Sequence, residues 1–291
     1  MLLNEDQAFH QRRSLFLFSR LACPPRLLAP RGGDQGFVHS QFGSYILKGH
    51  SPMAASPAPQ QPPSQEALKE AAANFAAAQL QNGLIVGLGS GSTARLLVAA
   101  IGRRVKEGLQ IVGVPTSEQT PEQARTLGIS LATLADYRQL DITIDGADEV
   151  ELGTLNLIKG GGGNQLREKI VATASSRLII IVDESKLVAQ LGSHAKVPVE
   201  VAQIGWQATA RNLAKLNADP GLRLNAEGKP FVTDGGNYIL DCAFGPIESA
   251  SDLDRDLNSV VGVVEHGLFI GMASQVLVGT PSGVKRLDRN S

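Results

Sequence analysis

The sequence predicts an α/β protein: a Rossmann-like parallel-sheet domain with an inserted smaller α+β domain of ferredoxin-like element order. Three observations carry this. Between Ser64 and about Lys196, short and almost wholly apolar runs alternate with helical stretches, which implies a parallel sheet covered on both faces. After Lys196 the order becomes β-α-β-β-α-β. A last apolar run, Gln275–Gly279, is placed to rejoin the first sheet, so the second domain interrupts the first. The expected division is an extension over 1–63, a Rossmann-like domain over 64–195 plus 272–291, and a small α+β domain over 196–271.

Taken in order, Gln65–Gln81 is Ala-rich, with Leu68, Ala72, Phe75, Ala76 and Leu80 near helical spacing. Strands are expected at Leu84–Leu88, Gln110–Val114, Asp141–Asp145 and Leu178–Val182, and helices at Thr93–Lys106, Glu118–Leu127 and Asn164–Ser175. Beyond Lys196, Pro198–Ala202 reads as a strand and Trp206–Asn217 as a helix. Phe231–Asp241 reads as two strands around a Gly-rich hairpin turn. Ser249–Leu257 reads as a helix with Asp252, Asp254 and Asp256 facing water, and Gly262–Leu268 as a further strand. Trp206 is expected to anchor the small domain, and His194 and His266 to be surface or packing residues. No internal repeat is visible.

Composition sets the outer limits. At 291 residues with 43% hydrophobic content, the chain can bury a sizeable core. A net charge of −1 gives no electrostatic footprint for nucleic acid or an anionic membrane, and no apolar run approaches the roughly 20 residues of a bilayer span. Two cysteines, Cys23 and Cys242, build neither a disulfide framework nor a cysteine zinc site, which fits a reducing compartment.

The charge is unevenly spread. Residues 1–52 carry six Lys/Arg against three acids, and Met53–Pro63 is a Pro/Ala/Gln lead-in. One reading is an organellar transit peptide, which would place the protein in a plastid. Glu5 and Asp6 and the scarcity of serine argue against it. The preferred reading is an upstream extension without structural role, Met53 being the effective start, and a cytoplasmic protein.

Four strand ends carry the polar chemistry. After Leu84–Leu88 comes Gly87-Leu-Gly-Ser-Gly-Ser-Thr93 and a helix start, where N–H groups and hydroxyls attract phosphate. Neither dinucleotide nor P-loop spacing is present, so a small phosphorylated ligand competes with a plain capped turn. Asp145-Gly-Ala-Asp-Glu149 follows the next strand; alone it reads as a solvated turn, and its spacing is not that of a calcium loop. Lys159-Gly-Gly-Gly-Gly163 then precedes a helix bearing Glu168, and four glycines there fit close backbone approach to a ligand. Asp183-Glu-Ser-Lys186 closes the series. Ligands of open parallel sheets bind beyond the carboxyl ends of strands, so the four together point to one site.

These motifs are similar to a known family. GLGSGST, DGADE, IKGGG followed by LREK, DESK, PVEV, TDGGN and VGTPSGVK stand in the order of type A ribose-5-phosphate isomerases, over essentially all of 64–291. The resemblance implies an aldose–ketose isomerase interconverting D-ribose 5-phosphate and D-ribulose 5-phosphate in the non-oxidative pentose phosphate pathway. It implies no cofactor and no metal, and a homodimer is expected because an extra small domain commonly mediates assembly. By position, Ser90, Gly91, Ser92 and Thr93 match the phosphate loop, with Lys69 a further phosphate contact. Asp145 and Asp148 match the active-site acids, Lys159 with Gly160, Gly161 and Gly162 the loop around the reacting end, Glu168 the general base, and Lys186 a substrate-contacting lysine. Ser90 stands where threonine is common, Gly163-Asn-Gln165 replaces smaller residues, and Ser193–Lys196 holds one extra residue. A sugar-phosphate deaminase and a non-catalytic sugar-phosphate sensor are the competing classes. The first should lack the DGADE/KGGG pair. The second would carry a DNA-binding segment, and 1–63 shows no helix-turn-helix pattern.

Overall fold

A computed structural model describes residues 63–289, so the prefix 1–52, with its transit-peptide and extension readings, lies outside the described residues. The chain runs α1 (Gln65–Ala78), β1 (Ile85–Leu88), α2 (Gly91–Lys106), β2 (Val112–Pro115), α3 (Thr120–Thr126), β3 (Ser130–Leu131), β4 (Ile142–Asp145), β5 (Glu149–Glu151), β6 (Leu157–Ile158), α4 (Gln165–Thr173) and β7 (Leu178–Asp183). A 3₁₀ turn at Glu184–Lys186 leads to β8 (Leu187–Val188), β9 (Val197–Val201), α5 (Trp206–Ala214), β10 (Asp219–Leu222), β11 (Tyr238–Ala243) and α6 (Ala250–Ser259). β12 (Val263–His266), β13 (Leu268–Phe269), β14 (Ala273–Thr280) and β15 (Gly283–Asp288) complete it.

Seven strands form the main sheet in the order β15-β14-β7-β4-β1-β2-β3, parallel except for β15. All six residues of β7 are buried, because alternate side chains enter two different cores. Ile179 and Ile181 pack with the alanines of α1 and with Leu97 and Ile101 of α2. Leu178, Ile180 and Val182 pack with Ala172 of α4, Leu157 and Phe269 on the other face. α1 buries Leu68, Ala72, Ala73, Ala76 and Ala77, while Phe75, expected on that face, is 44% exposed. The last apolar run does rejoin the sheet, as β14 beside β7. Among the described residues no helix is long and apolar enough to cross a membrane.

The small sheet is antiparallel in the order β10-β11-β9-β12, which with α5 and α6 is the ferredoxin-like arrangement. Its elements fall within 197–266, while the described residues 63–289 belong to one compact unit. Trp206 packs against its core half-buried. Two expectations need correction. The hairpin at Phe231–Asp241 has only one strand arm: β11 pairs with β10, and the segment before the turn contributes a single bridge, Val232 to Tyr238. The edge strand beside β11 is instead Asp219-Pro-Gly-Leu222, a position where proline is admissible. Asp254 is half-buried, its Oδ1 3.6 Å from Nε2 of the buried His266, so it does not simply face water.

A third sheet, β13-β6-β5-β8, was not legible in sequence because its strands have only two or three residues. It holds the DGADE and KGGG segments side by side. The Asp148 N–H donates to the Ile158 carbonyl at 2.8 Å, and the Lys159 N–H to the Gly267 carbonyl at 2.8 Å. Gly267 splits the expected strand Gly262–Leu268 into β12 and β13; a Cβ there would collide with the Lys159 carbonyl.

Candidate active site

The centre of the site is one ammonium between two carboxylates. Asp145 ends β4, Lys159 follows β6, and Glu168 lies in the first turn of α4. Lys159 Nζ stands 3.0 Å from Asp145 Oδ2 and 3.2 Å from Glu168 Oε2, and donates to the Gly146 carbonyl at 2.6 Å. All three residues are at most 5% exposed. The buried Phe269 ring lies against this centre, its centroid 5.5 Å from that ammonium. The other Asp145 oxygen accepts from the N–H groups of Gly146 at 2.8 Å and Ser90 at 3.1 Å. Glu168 Oε1 accepts from Ser90 Oγ at 2.6 Å, and Asn164 Nδ2 in turn donates to Ser90 Oγ at 3.2 Å.

Electrostatics follow from this packing. Burial and then the nearby Glu168 charge push the Asp145 carboxyl up to about 7, against the opposing pull of Lys159. Burial would lower the Lys159 pKa, but the Asp145 and Glu168 charges outweigh it and raise it, so the side chain stays an ammonium. A fixed cation thus lies beside an acid able to release or take a proton near neutrality.

The remaining expected residues surround this centre. Ser90, Gly91, Ser92 and Thr93 lie at the N-terminus of α2; Gly91 has φ +81°, where glycine meets no Cβ penalty. Lys69 reaches in from α1, its Nζ 3.8 Å from Asp183 Oδ2, and Lys186 sits in the 3₁₀ turn after β7. Asp148 accepts the Gly161 N–H at 2.7 Å. A cavity of about 280 Å³ is lined by Lys69, Ser90, Gly91, Ser92, Thr93, Asp148, Lys159, Gly160, Gly161, Gly162, Glu168 and Lys186, together with Gly146 and Ala147. Asp145 lies just behind the wall through its ion pair with Lys159. A larger cavity of about 680 Å³ opens next to it, where the ionisable lining residues, Arg95 and Glu122, are exposed. The smaller one, with its buried charges, is where the chemistry belongs.

Some residues that build the site carry no clear mark in the sequence. Asn164 shows there only as a departure after the glycines, yet it orients Ser90. Phe269 falls just past the strand expected at Gly262–Leu268. Glu149, the third acid of the DGADE cluster, is 1% exposed and accepts the N–H groups of Gly192, His194 and Ala195 at 2.6–2.7 Å. Among the described residues, no group of three or more His, Cys, Asp or Glu side chains is disposed to hold a metal ion.

A profile of the ribose 5-phosphate isomerase A (phosphoriboisomerase A) family matches residues 112–283. The chain belongs to the ribose-5-phosphate isomerase A family. It is 54% identical over 225 residues to ribose-5-phosphate isomerase A of Synechococcus sp., covering 77% of this chain and 98% of that one. With the Gloeobacter violaceus protein of that name, identity is 56% over 220 residues, 76% and 95% of the two chains. Among solved structures, the Methanocaldococcus jannaschii ribose 5-phosphate isomerase A aligns with a TM-score of 0.75 at 41% identity, covering 78% of this chain and all of that one. A D-ribose-5-phosphate isomerase in complex with phospho-erythronic acid aligns at 0.76 and 39% identity, with the same coverage. The chain is therefore an isomerase of this family rather than a deaminase or a non-catalytic sensor.

Proposed function

We propose that the 280 Å³ cavity isomerises ribose 5-phosphate and ribulose 5-phosphate through an enediolate, by proton transfers among the chain's own residues. The activity is that of the family; the assignment of steps to residues is our reading. The observation that carries it is the buried Lys159 ammonium, 3.0 Å from Asp145 and 3.2 Å from Glu168.

Aldose-to-ketose conversion moves one proton from carbon two to carbon one and another between the two oxygens. Glu168 takes the carbon-bound proton and returns it one carbon along, as a single carboxylate on one face of an enediolate can do. Lys159 and the N–H groups around Gly160–Gly162 stabilise the charge that develops on oxygen, in a site built before substrate arrives. Asp145, with its carboxyl near 7, exchanges the hydroxyl proton in both directions and assists ring opening. Asp148 binds sugar hydroxyls. Ser90–Thr93, Lys69 and Lys186 receive the phosphate end, supported by the helix N-terminus and two cations at that rim.

Ribose 5-phosphate incubated with the purified protein in D₂O should yield ribulose 5-phosphate carrying solvent deuterium at carbon one, and chelator should not stop it. Glu168→Gln should lower kcat by about 10³-fold, within the range expected for removal of a positioned base. Wild-type turnover in that variant would remove Glu168 from the mechanism.

The reading extends to a homodimer, supported by Ile204 at 90% and Val261 at 87% exposure on loops tied by the Ala202 N–H to the Gly262 carbonyl. Sedimentation of Ile204→Asp against wild type tests it. A cytoplasmic setting in the non-oxidative pentose phosphate pathway completes the proposal. N-terminal sequencing of the native protein tests the location.

A further inference from the structure

We propose that Arg223, on the small sheet, is a positioning residue of the isomerase: held by Asp241, it orients the Gly160–Gly162 peptides and, through them, Asp148. Arg223 stands one residue past β10, outside the cavity that binds substrate. Its guanidinium is fixed from behind by Asp241, with Nε 2.9 Å from Oδ2 and Nη2 2.5 Å from Oδ1. This is the bidentate fork that gives arginine a set direction. The front of the fork then acts on the glycine loop. Nη1 donates to the Gly160 carbonyl at 3.0 Å and to the Gly161 carbonyl at 3.1 Å.

A trans peptide carries its N–H opposite its C=O. Drawing the Gly160 carbonyl toward Arg223 therefore turns the Gly161 N–H the other way, onto Asp148 Oδ2 at 2.7 Å. The same pull on the Gly161 carbonyl turns the Gly162 N–H away from Arg223. Without such a hold, a run of four glycines has more backbone freedom than any other sequence of that length. A second contact closes the far end. The Phe231 ring lies against Gly163, where any side chain would collide with it, and the Arg223 guanidinium stands 5.9 Å from the ring centroid. The Phe231 N–H also donates to the Arg223 carbonyl at 2.9 Å, which ties the two backbones together. The small sheet thus sets the peptide planes of a loop that lies in the main site.

The inference rests on the reading above, in which Asp148 holds the sugar hydroxyls in register for proton transfer and the Gly160–Gly162 N–H groups meet the charge that develops on oxygen. In the test, Arg223→Met should lower kcat by about 30-fold or more, and Arg223→Lys, which keeps charge without the fork, by about fivefold, with KM changed less than about threefold. Asp148→Asn should be damaged by itself, and adding Arg223→Lys to it should cost less than about twofold more, because both act through one contact. Where Arg223→Met does not fold, the lysine variant and the double variant decide. Folded Arg223 variants with wild-type kcat and only a lowered Tm would overturn the clamp alone. Losses that multiply fully in the double variant would also overturn it. Wild-type turnover in Asp148→Asn would overturn the role of Asp148 and the clamp with it.

Discussion

Two charge clusters meet along α4, one residue apart, and they are built for different ends. Glu168 turns to the cavity and joins Lys159 and Asp145. Lys169 turns to the small sheet, donating to Glu265 Oε1 at 2.6 Å and to the His266 carbonyl at 2.8 Å. Both ammonium groups approach the same Phe269 ring, at 5.5 and 5.0 Å. In the first cluster the charges outweigh burial and hold Lys159 protonated, while Asp145 is left near neutrality. In the second, burial wins: Lys169 is lowered, and His266 is pushed down to about 3 by burial and by the Lys169 charge. Burial alone does not make a reactive site. A cavity beside the charges and two carboxylates sharing one cation separate the first cluster from the second.

The largest test of that contrast exchanges the two lysines for an isosteric neutral chain. Lys159→Met should lose about 10²–10³-fold in kcat, the scale of removing a preorganised donor. It should also lose about 3 kcal/mol of stability by stranding buried carboxylates. Lys169→Met should keep kcat within about tenfold, since its loss touches positioning and not the reacting atoms. Equal damage in the two variants would erase the distinction. Next in size is Glu149→Gln, which weakens three charge-assisted N–H bonds. A loss of about 2 kcal/mol in denaturant unfolding is expected, with turnover kept within about threefold.

A subtler break uses pH. Asp145 is raised from 3.8 to about 7, so its contribution to stability is full below 3.8 and is lost as pH rises toward 7. His266 is lowered from 6.5 to about 3, so its contribution is full above 6.5 and is lost as pH falls toward 3. Between pH 4 and 6.5 the two act with opposite sign. Melting curves across that window should therefore slope differently in the single variants. Relative to wild type, Asp145→Asn should gain as pH rises and His266→Gln as pH falls; parallel curves would refute the assignment. Smallest of all, Ser90→Thr keeps the hydroxyl that donates to Glu168, and kcat should stay within about twofold.

Much of the fold and site is readable from the sequence, and the division has a physical basis. β4 and β7 are short, buried and mostly apolar, Asp145 ends β4 and Lys186 closes the turn after β7, so fold and site are legible together. Lys159 and Glu168 stand out because four glycines between a strand and a helix carry a large entropic cost, which close packing of backbone against a ligand offsets. What escapes depends on contacts far apart in sequence. Arg223 meets Gly160 and Gly161 more than sixty positions away, with only an ordinary arginine in an unremarkable loop to mark it. β10 is hidden by Pro220 and Gly221, and the two-residue strands β6 and β13 are too short for any period to show.

The place of β14 in the main sheet bears on the order in which the molecule can be completed during synthesis. The small sheet is contiguous in the chain, from Val197 to His266, and all its pairings are available once that stretch has left the ribosome. The main sheet is not: β14 lies between β7 and β15, and α1, the first described helix, packs on it. There Gly279 lies so close to the Leu68 carbonyl that a side chain would not fit. Leu68 precedes Lys69, so the lysine at the phosphate rim takes its final position against a strand made long after it. The small sheet that steadies the glycine loop can thus form before the seat of Lys69 is complete, and a nascent chain short of Thr280 lacks β14, one of the surfaces on which α1 packs beside α2 and β7.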